Sequence, residues 1–495
     1  MNRPAHRPAR ARRLALLLIL LPGLLAAAPA VQGTVTGAAD DAPDEQWLRV
    51  VLEGRKVGHA HFHTRRGQDT VVTGQVIELS LGRAGVAVAM RIEERHEETD
   101  DGEPLAFFAA STISGLTMSV SGRRQADGRF AVRSGRGDGD GASRLLDWPE
   151  GALLAHGAEL RLRELGTAAG ASARLRVFQA MLQEAVELEH TVIGPAWIDL
   201  PEGRRQLTEV RQVLAFPEGD MASRGWLDER LRLRRLTMDL LGQELELIEC
   251  DRACATAPNQ PAEILETALL AVPRALDARE RGGPLRLVLR SERQPRDWPG
   301  IDGQRVLALD GERWALHLRA GSGGDPVPPP VDADLARTDW LDHDDPDVRA
   351  LLPGDLPASP KLAMARLTEL VGRHIRDKTL AVGYASASDA ARMREGDCTE
   401  HAVLLAALAR AAGIPARVVT GLAYATEYGG PAFVPHAWVA AWTGKAWQAF
   451  DAALPGEAQV RIAVHAGDGD PWRFYGGVEV LGDLAVEAVE ALPRQ

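Results

Sequence analysis

Three residues of different chemistry follow one another in an order that suits attack on an acyl group. They are Cys398 in Arg394-Glu395-Gly396-Asp397-Cys398-Thr399-Glu400-His401, His436 in Pro435-His436-Ala437-Trp438-Val439, and Asp451 in Gln448-Ala449-Phe450-Asp451. A thiol becomes a strong nucleophile as the thiolate, an imidazole can take its proton, and a carboxylate can hold the imidazole in one orientation. Cys398, His436 and Asp451 are therefore the candidate catalytic residues, and this chemistry calls for neither cofactor nor metal ion.

The elements that must position them are legible locally. Asp397 is a good N-cap, and Glu400 stands three positions on, as in a capping box. Leu404, Leu405, Leu408 and Ala412 recur at helical spacing, so a helix is expected from Thr399 to Ala412, ended by Gly413 and Pro415. Cys398 then falls on the first turn, where unpaired N–H groups and the helix dipole favour a thiolate. Its own backbone N–H is the expected oxyanion donor. Residues 436–442 and 445–451 both read as strands, split by Thr443-Gly444. A two-residue turn there sets Trp442 opposite Lys445, Ala440 opposite Trp447, Trp438 opposite Ala449 and His436 opposite Asp451.

These residues carry a family resemblance. Residues from about 360 to 455 resemble the transglutaminase-like superfamily, papain-like cysteine enzymes with a Cys-His-Asp triad. The matching stretches are Gly396 to His401, Leu408-Ala409-Arg410-Ala411-Ala412-Gly413-Ile414-Pro415-Ala416-Arg417-Val418, His436-Ala437-Trp438-Val439 and Asp451. The resemblance implies that Cys398 is the nucleophile, His436 the base and Asp451 the orienting acid. It also implies attack on amide bonds through an acyl-enzyme, resolved by water or by an amine, with a protein or peptide substrate, cell-wall peptide included. The chain departs from the family pattern where Ala452 and Ala453 replace the Pro-Thr that often follows the acid, and where Ala440 replaces an acidic residue. Both departures leave substrate preference open. The alternative is a non-catalytic cell-envelope binding or assembly protein whose β-rich region engages a partner.

The N-terminus has the layout of an export signal. Five arginines (Arg3, Arg7, Arg10, Arg12 and Arg13) precede the apolar run Leu14 to Leu25, and Ala26-Ala27-Ala28-Pro29-Ala30 offers small-residue cleavage. The expected location is periplasmic or secreted, with cleavage and retention as an N-terminal anchor both open. No later stretch is apolar enough to span a bilayer. Loss of the five arginines deepens a formal net charge that is already −12, which argues against nucleic acid. Of the three cysteines, Cys250 and Cys254 lie four positions apart, and either a small disulfide loop or two buried thiols fits them.

The expected fold class is α+β: a C-terminal papain-like core of helix plus antiparallel sheet, preceded by a large antiparallel β-rich region. The expected divisions are a signal peptide at 1–30, a β-rich region at 43–255, a small mixed segment at 259–320, a linker at 321–345, the transglutaminase-like domain at 346–460 and an extension at 461–495. Alternation and turn signals give one or two β-meanders, curved or sandwiched, with strands at Val76–Leu81, Val86–Ile92 and Leu105–Thr112 and a second series from Leu160 to Cys250. A helical run, Ile264 to Val272, and strands at Leu285–Arg290, Arg305–Leu309 and Trp314–Arg319 follow. Met364, Leu367, Leu370, Val371 and Ile375 mark an amphipathic helix that should pack against the cysteine helix.

Three constellations admit a metal and are better explained without one. His59, His61 and His63 share one strand face, but Ala60 and Phe62 make the natural core side, leaving the histidines on the wet face. His401 shares a helix side with Cys398, yet a metal site would not explain the cysteine's placement at the helix start. The acidic stretch Asp342 to Asp347 reads as a solvated charge run before a helix rather than as a calcium loop.

Overall fold

The computed structural model describes residues 44–83, 86–113, 116–136, 142–216, 219–240, 243–260, 262, 269–291, 298–318, 328–378, 385–426, 430–454, 460–469 and 484–493. The expected signal peptide, most of the helical run Ile264 to Val272 and residues 321–327 of the expected linker lie outside the described residues.

The first half of the chain folds into one large sheet. Its first meander is β1 (Asp44–Leu52), β2 (Arg55–Arg66), β3 (Thr70–Arg83), β4 (Val86–Thr99), β5 (Pro104–Ile113), β6 (Leu116–Arg124), β7 (Phe130–Arg136) and β8 (Ala142–Leu146). The second is β9 (Ala152–Leu153), β10 (Ser172–Gln179), β11 (Glu184–Leu200), β12 (Gly203–Phe216), β13 (Gly219–Leu227), β14 (Leu233–Leu240) and β15 (Gln243–Glu249). The two join edge to edge where β1 pairs antiparallel with β15, giving fifteen strands among the described residues. The sheet curls, so that Phe107 of β5, Phe130 of β7 and Phe178 of β10 share an aromatic cluster with Trp148.

Where the second strand series was expected to begin, at Leu160, stands instead the helix α1 (Ala155–Leu165). Its N-cap Leu154 offers no side-chain cap. Glu98 of β4 supplies one, accepting the His156 N–H at 2.7 Å and the Gly157 N–H at 2.8 Å. β4 itself runs well past the expected end at Ile92, because Glu94, His96 and Glu98 alternate inward while Arg95 and Glu97 between them face outward. A run that looks solvated by composition is thus half interior. On β2, Ala60 and Phe62 are buried while His59, His61 and His63 lie on the opposite, only partly exposed face, with Trp47 stacked on His61.

The segments expected to be separate units behind this sheet are interleaved. After α2 (Arg252–Ala255) come β16 (Leu270–Ala271), α3 (Ala278–Gly282), β17 (Leu285–Arg290), β18 (Arg305–Ala308) and β19 (Arg313–Leu318). The C-terminal strand β26 (Ala485–Ala491) pairs with β17, so the 259–320 segment and the 461–495 extension build one four-stranded sheet, β18-β19-β17-β26. The expected linker is tied down beyond its start: Pro328 accepts a hydrogen bond from Trp447 Nε1 at 3.0 Å, and Asp334 pairs with both Arg417 Nε and Nη2. The acidic stretch leads into a helix as expected, α4 (Pro346–Ala350), with Asp344 and Asp347 exposed and Asp345 as its cap, but Asp342 is buried against Ser388.

The region that carries Cys398, His436 and Asp451 comprises α5 (Pro360–His374), β20 (Asp377–Lys378), α6 (Ala387–Met393), β21 (Glu395–Gly396), α7 (Cys398–Ala411), β22 (Ala416–Ala425), β23 (Ala432–Trp442), β24 (Trp447–Phe450) and β25 (Arg461–Gly467). β16, β23, β22 and β25 form a sheet in that order, with β24 beside β23. Residues Ala402 to Ala409 of α7 are buried all round, the alanines letting its neighbours approach closely. One core joins Met364, Leu367 and Val371 of α5 to Leu404 and Leu408 of α7 and to Val418, Ala437, Val439 and Ala441 of the sheet. Each fully buried leucine in such a core stabilises the fold by roughly 2 kcal/mol. A second core lies between this sheet and the four-stranded one, joining Leu422, Phe433 and Ile462 to Leu285, Leu287 and Leu316. No helix among the described residues is long and apolar enough to cross a membrane.

Candidate active site

Cys398 is the first residue of α7 and is partly buried against the core that α7 shares with β23. The turn that presents it is tightly specified. Asp397 Oδ1 accepts the Thr399 N–H at 2.7 Å, and Glu400 Oε2 accepts the Asp397 N–H at 2.8 Å, the reciprocal pattern of a capping box. Glu400 Oε1 also accepts the Ala385 N–H at 3.0 Å and lies 3.0 Å from Thr399 Oγ1. Burial, with the nearby Asp397 charge, pushes the Glu400 carboxyl up to about 8. Gly396 makes room for this arrangement: its φ is +151°, and a Cβ there would fall 2.6 Å from the Cβ of Glu400. His401 Nδ1 donates to the Asp397 carbonyl at 2.6 Å, so that ring belongs to the helix start.

His436, on β23, is 5% exposed and Asp451, just past β24, is 6% exposed. His436 Nε2 donates to Asp451 Oδ2 at 2.8 Å. That bond leaves Nδ1 as the ring nitrogen able to exchange a proton with a reacting group. The imidazole lies over the Trp438 side, ring centroids 6.1 Å apart and nearly parallel.

The hairpin that joins the pair is not the one expected. Four residues, 443–446, separate β23 from β24, and within them the Thr443 N–H bonds to the Ala446 carbonyl at 3.0 Å. Trp442 faces Trp447, Ala441 faces Gln448 and Ala440 faces Ala449, a slip of two residues from the expected pairing. Side chains alternate with a period of two, so this slip preserves the face. His436 and Asp451 therefore meet on a diagonal rather than directly opposite.

Asp451 is held on every side. Its Oδ1 accepts the N–H groups of Ala453 at 3.0 Å and Leu454 at 2.9 Å. Its Oδ2, besides His436, accepts from Arg461 Nη2 at 2.8 Å and Nε at 3.1 Å. Burial alone would push this carboxyl up, but the bond and charge of His436 and the charge of Arg461 outweigh it and hold it down at about 2. Arg461 opens β25, in a segment that sequence reasoning set outside the domain, and no local signal marks it. β25 reaches the site because it pairs with β22, setting Arg461 against Ala423, with a shift of register at Gly421.

The disulfide question resolves in the first half of the chain: Cys250 and Cys254 are bonded, with Cα atoms 6.0 Å apart. Cys398 is the cysteine outside it. Among the described residues no group of three or more His, Cys, Asp or Glu side chains is arranged to hold a metal ion.

Such a set can do nucleophilic chemistry if the thiolate, the imidazole and the carboxylate act in series. The chain is similar to a beta-barrel-like protein of a domain of unknown function from Brucella abortus, at 12% identity and a TM-score of 0.34, over 43% of this chain and 98% of that one. It is also similar to a candidate cysteine protease from Cytophaga hutchinsonii, at 16% identity and a TM-score of 0.27, over 42% of this chain and 86% of that one. No curated protein matches the chain. The segment that carries Cys398, His436 and Asp451, residues 357–452, matches the family model of the transglutaminase-like superfamily.

Proposed function

We propose that this protein is an exported thiol enzyme that acts on amide bonds of a protein or peptide through Cys398, His436 and Asp451. The observation that carries the proposal is the buried His436–Asp451 hydrogen bond of 2.8 Å on a strand against which the cysteine-bearing helix packs.

His436 takes the thiol proton, and the Cys398 thiolate attacks the amide carbonyl carbon, forming a C–S bond as the carbonyl π electrons move to oxygen. First-turn N–H groups of α7, that of Cys398 among them, stabilise the oxyanion. As the carbonyl re-forms, the C–N bond breaks and the imidazolium gives its proton to the leaving amine, which leaves a thioester. Water or a second amine, losing a proton to His436, then attacks the thioester and expels the thiolate. Asp451 stays ionised throughout and stabilises the imidazolium.

The test is alkylation by iodoacetamide across pH, followed by activity profiling of wild type and Cys398→Ala against peptides, glutamine donors and wall fragments. An active-site thiol reacts well below the ordinary cysteine value near 8.5. A Cys398 that alkylates only as an ordinary thiol, with no substrate class turned over in a Cys398-dependent way, overturns the proposal.

A further inference from the structure

Resting on the triad proposed above and deepening it, we infer that Arg461 is a positioning residue for the reaction, tethering Asp451 and keeping it ionised so that the carboxylate serves His436. Three observations carry this. Arg461 Nη2 and Nε both bond to Oδ2, the same oxygen that receives His436 Nε2. The other oxygen is fixed by the Ala453 and Leu454 N–H groups, so the carboxylate has one rotational setting. Arg461 is itself mostly buried, 13% exposed, beside the Trp438 ring at 5.9 Å, so its charge is poorly screened by water.

The charged groups against Asp451 come from two strands: His436 from β23 and Arg461 from β25. Its own loop adds backbone dipoles, not charge. A buried carboxylate with a neutral imidazole as its sole partner would tend to take up a proton, and a protonated Asp451 could not support an imidazolium. Arg461 removes that failure. Its position explains why β25 is needed: the strand lies beyond residues 357–452 and contributes no member of the triad, yet it completes the hydrogen-bonding of the acid.

The test uses the full mature chain, with iodoacetamide as probe and intact mass as readout, since Cys398 is the cysteine outside the disulfide. Rates are measured from about pH 4 to pH 10 for wild type, R461M, R461Q and R461K, with folding checked by circular dichroism. In R461M the acid limb of Cys398 alkylation is expected to move up by about one pH unit, the scale of losing an adjacent opposite charge. R461K should return most of that shift. R461Q, which keeps a donor but not the charge, should show the shift even if R461M folds poorly.

A purely structural role would lower Tm and leave the limb where it was. A perturbed wild-type thiol whose limb is unmoved in folded R461M and R461Q overturns the role of Arg461 and leaves the triad standing. An ordinary wild-type thiol, unaffected by His436→Ala, overturns the triad and with it this inference.

Discussion

His436 and Asp451 are joined across a diagonal of the β23–β24 hairpin. The pairing of Ala440 with Ala449 sets Asp451 level with Trp438, two residues from the histidine it bonds, yet Nε2 and Oδ2 are 2.8 Å apart. A four-residue connection and a carboxylate just beyond the strand end make this possible, because the backbone there is free to turn and to donate its own N–H groups to the acid.

That acid should be visible in the pH dependence of stability. Asp451 sits at about 2 when folded against an ordinary 3.8, so its ionised form favours the native state. The contribution, about 2 kcal/mol, is complete above the ordinary value and disappears as pH falls through the folded one. Urea midpoints for wild type and Asp451→Asn should therefore differ at pH 7 and converge toward pH 2. A constant difference across that span contradicts the assignment.

Inside the large sheet Glu94 has the opposite slope to Asp451 and His96 the same one. Burial pushes Glu94 up to about 8 and pulls His96 down to about 4. The Glu94 contribution should fall as pH rises from the ordinary 4.5 toward 8, because the unfolded chain sheds that proton first. The His96 contribution should fall the other way, as pH drops from 6.5 toward 4, because the unfolded chain protonates His96 first, so the two offset each other between 4.5 and 6.5. Glu94→Gln should raise stability at pH 8 by about 1–3 kcal/mol and change little at pH 4. Thermal melts at the two pH values decide it.

Gly421 is directly opposite His436 on β22, and a Cβ there would lie 1.9 Å from the Ile462 carbonyl oxygen and 3.1 Å from Trp438. Gly421→Ala must push β25 away from β22, and Arg461 with it. The expected loss is about 1–3 kcal/mol of stability, as for overpacking, together with a weakened Cys398 reactivity. Alanine at this position with unchanged Tm and alkylation rate would show that the close approach is unimportant.

The first turn of α7 depends on Glu400. Truncation to alanine leaves the Asp397 and Ala385 N–H groups without their acceptor in a buried place. A cost of about 2–3 kcal/mol follows from orphaning such donors. Hydrogen exchange should report it locally, with faster exchange at residues 397–400 than in the strands of the large sheet.

The Cys250–Cys254 bond gives a simple mass readout. Denatured, unreduced protein should take one iodoacetamide adduct and reduced protein three, the full cysteine count. Two additional adducts without reduction would mean that the pair is open.

Much of the site's local framework was legible in the chain, and the reason is range. Asp397 and Glu400 cap a helix within one turn, Gly413 ends it at φ +75°, and the stripe from Met364 to Val371 declares a buried face by its period. Such interactions are specified by neighbours a few positions away, so residue type and spacing suffice. Strand alternation likewise announced most of the large sheet, and failed where Glu94, His96 and Glu98 turn inward, since polar residues carry the wrong sign for a core.

Tertiary structure decided the rest. Hairpin register depends on how Trp442 and Trp447 pack across the ladder, with rings 5.6 Å apart, which no count outward from Thr443-Gly444 contains. The pairing of β17 with β26 joins residues some two hundred positions apart, and that of β22 with β25 delivers Arg461 to Asp451. These contacts exist only after the chain has closed long loops, and their energy comes from surfaces that are not adjacent in sequence. Cys398, His436 and Asp451 could be put forward from their order in the chain; the bonds of Arg461 to Asp451 could not.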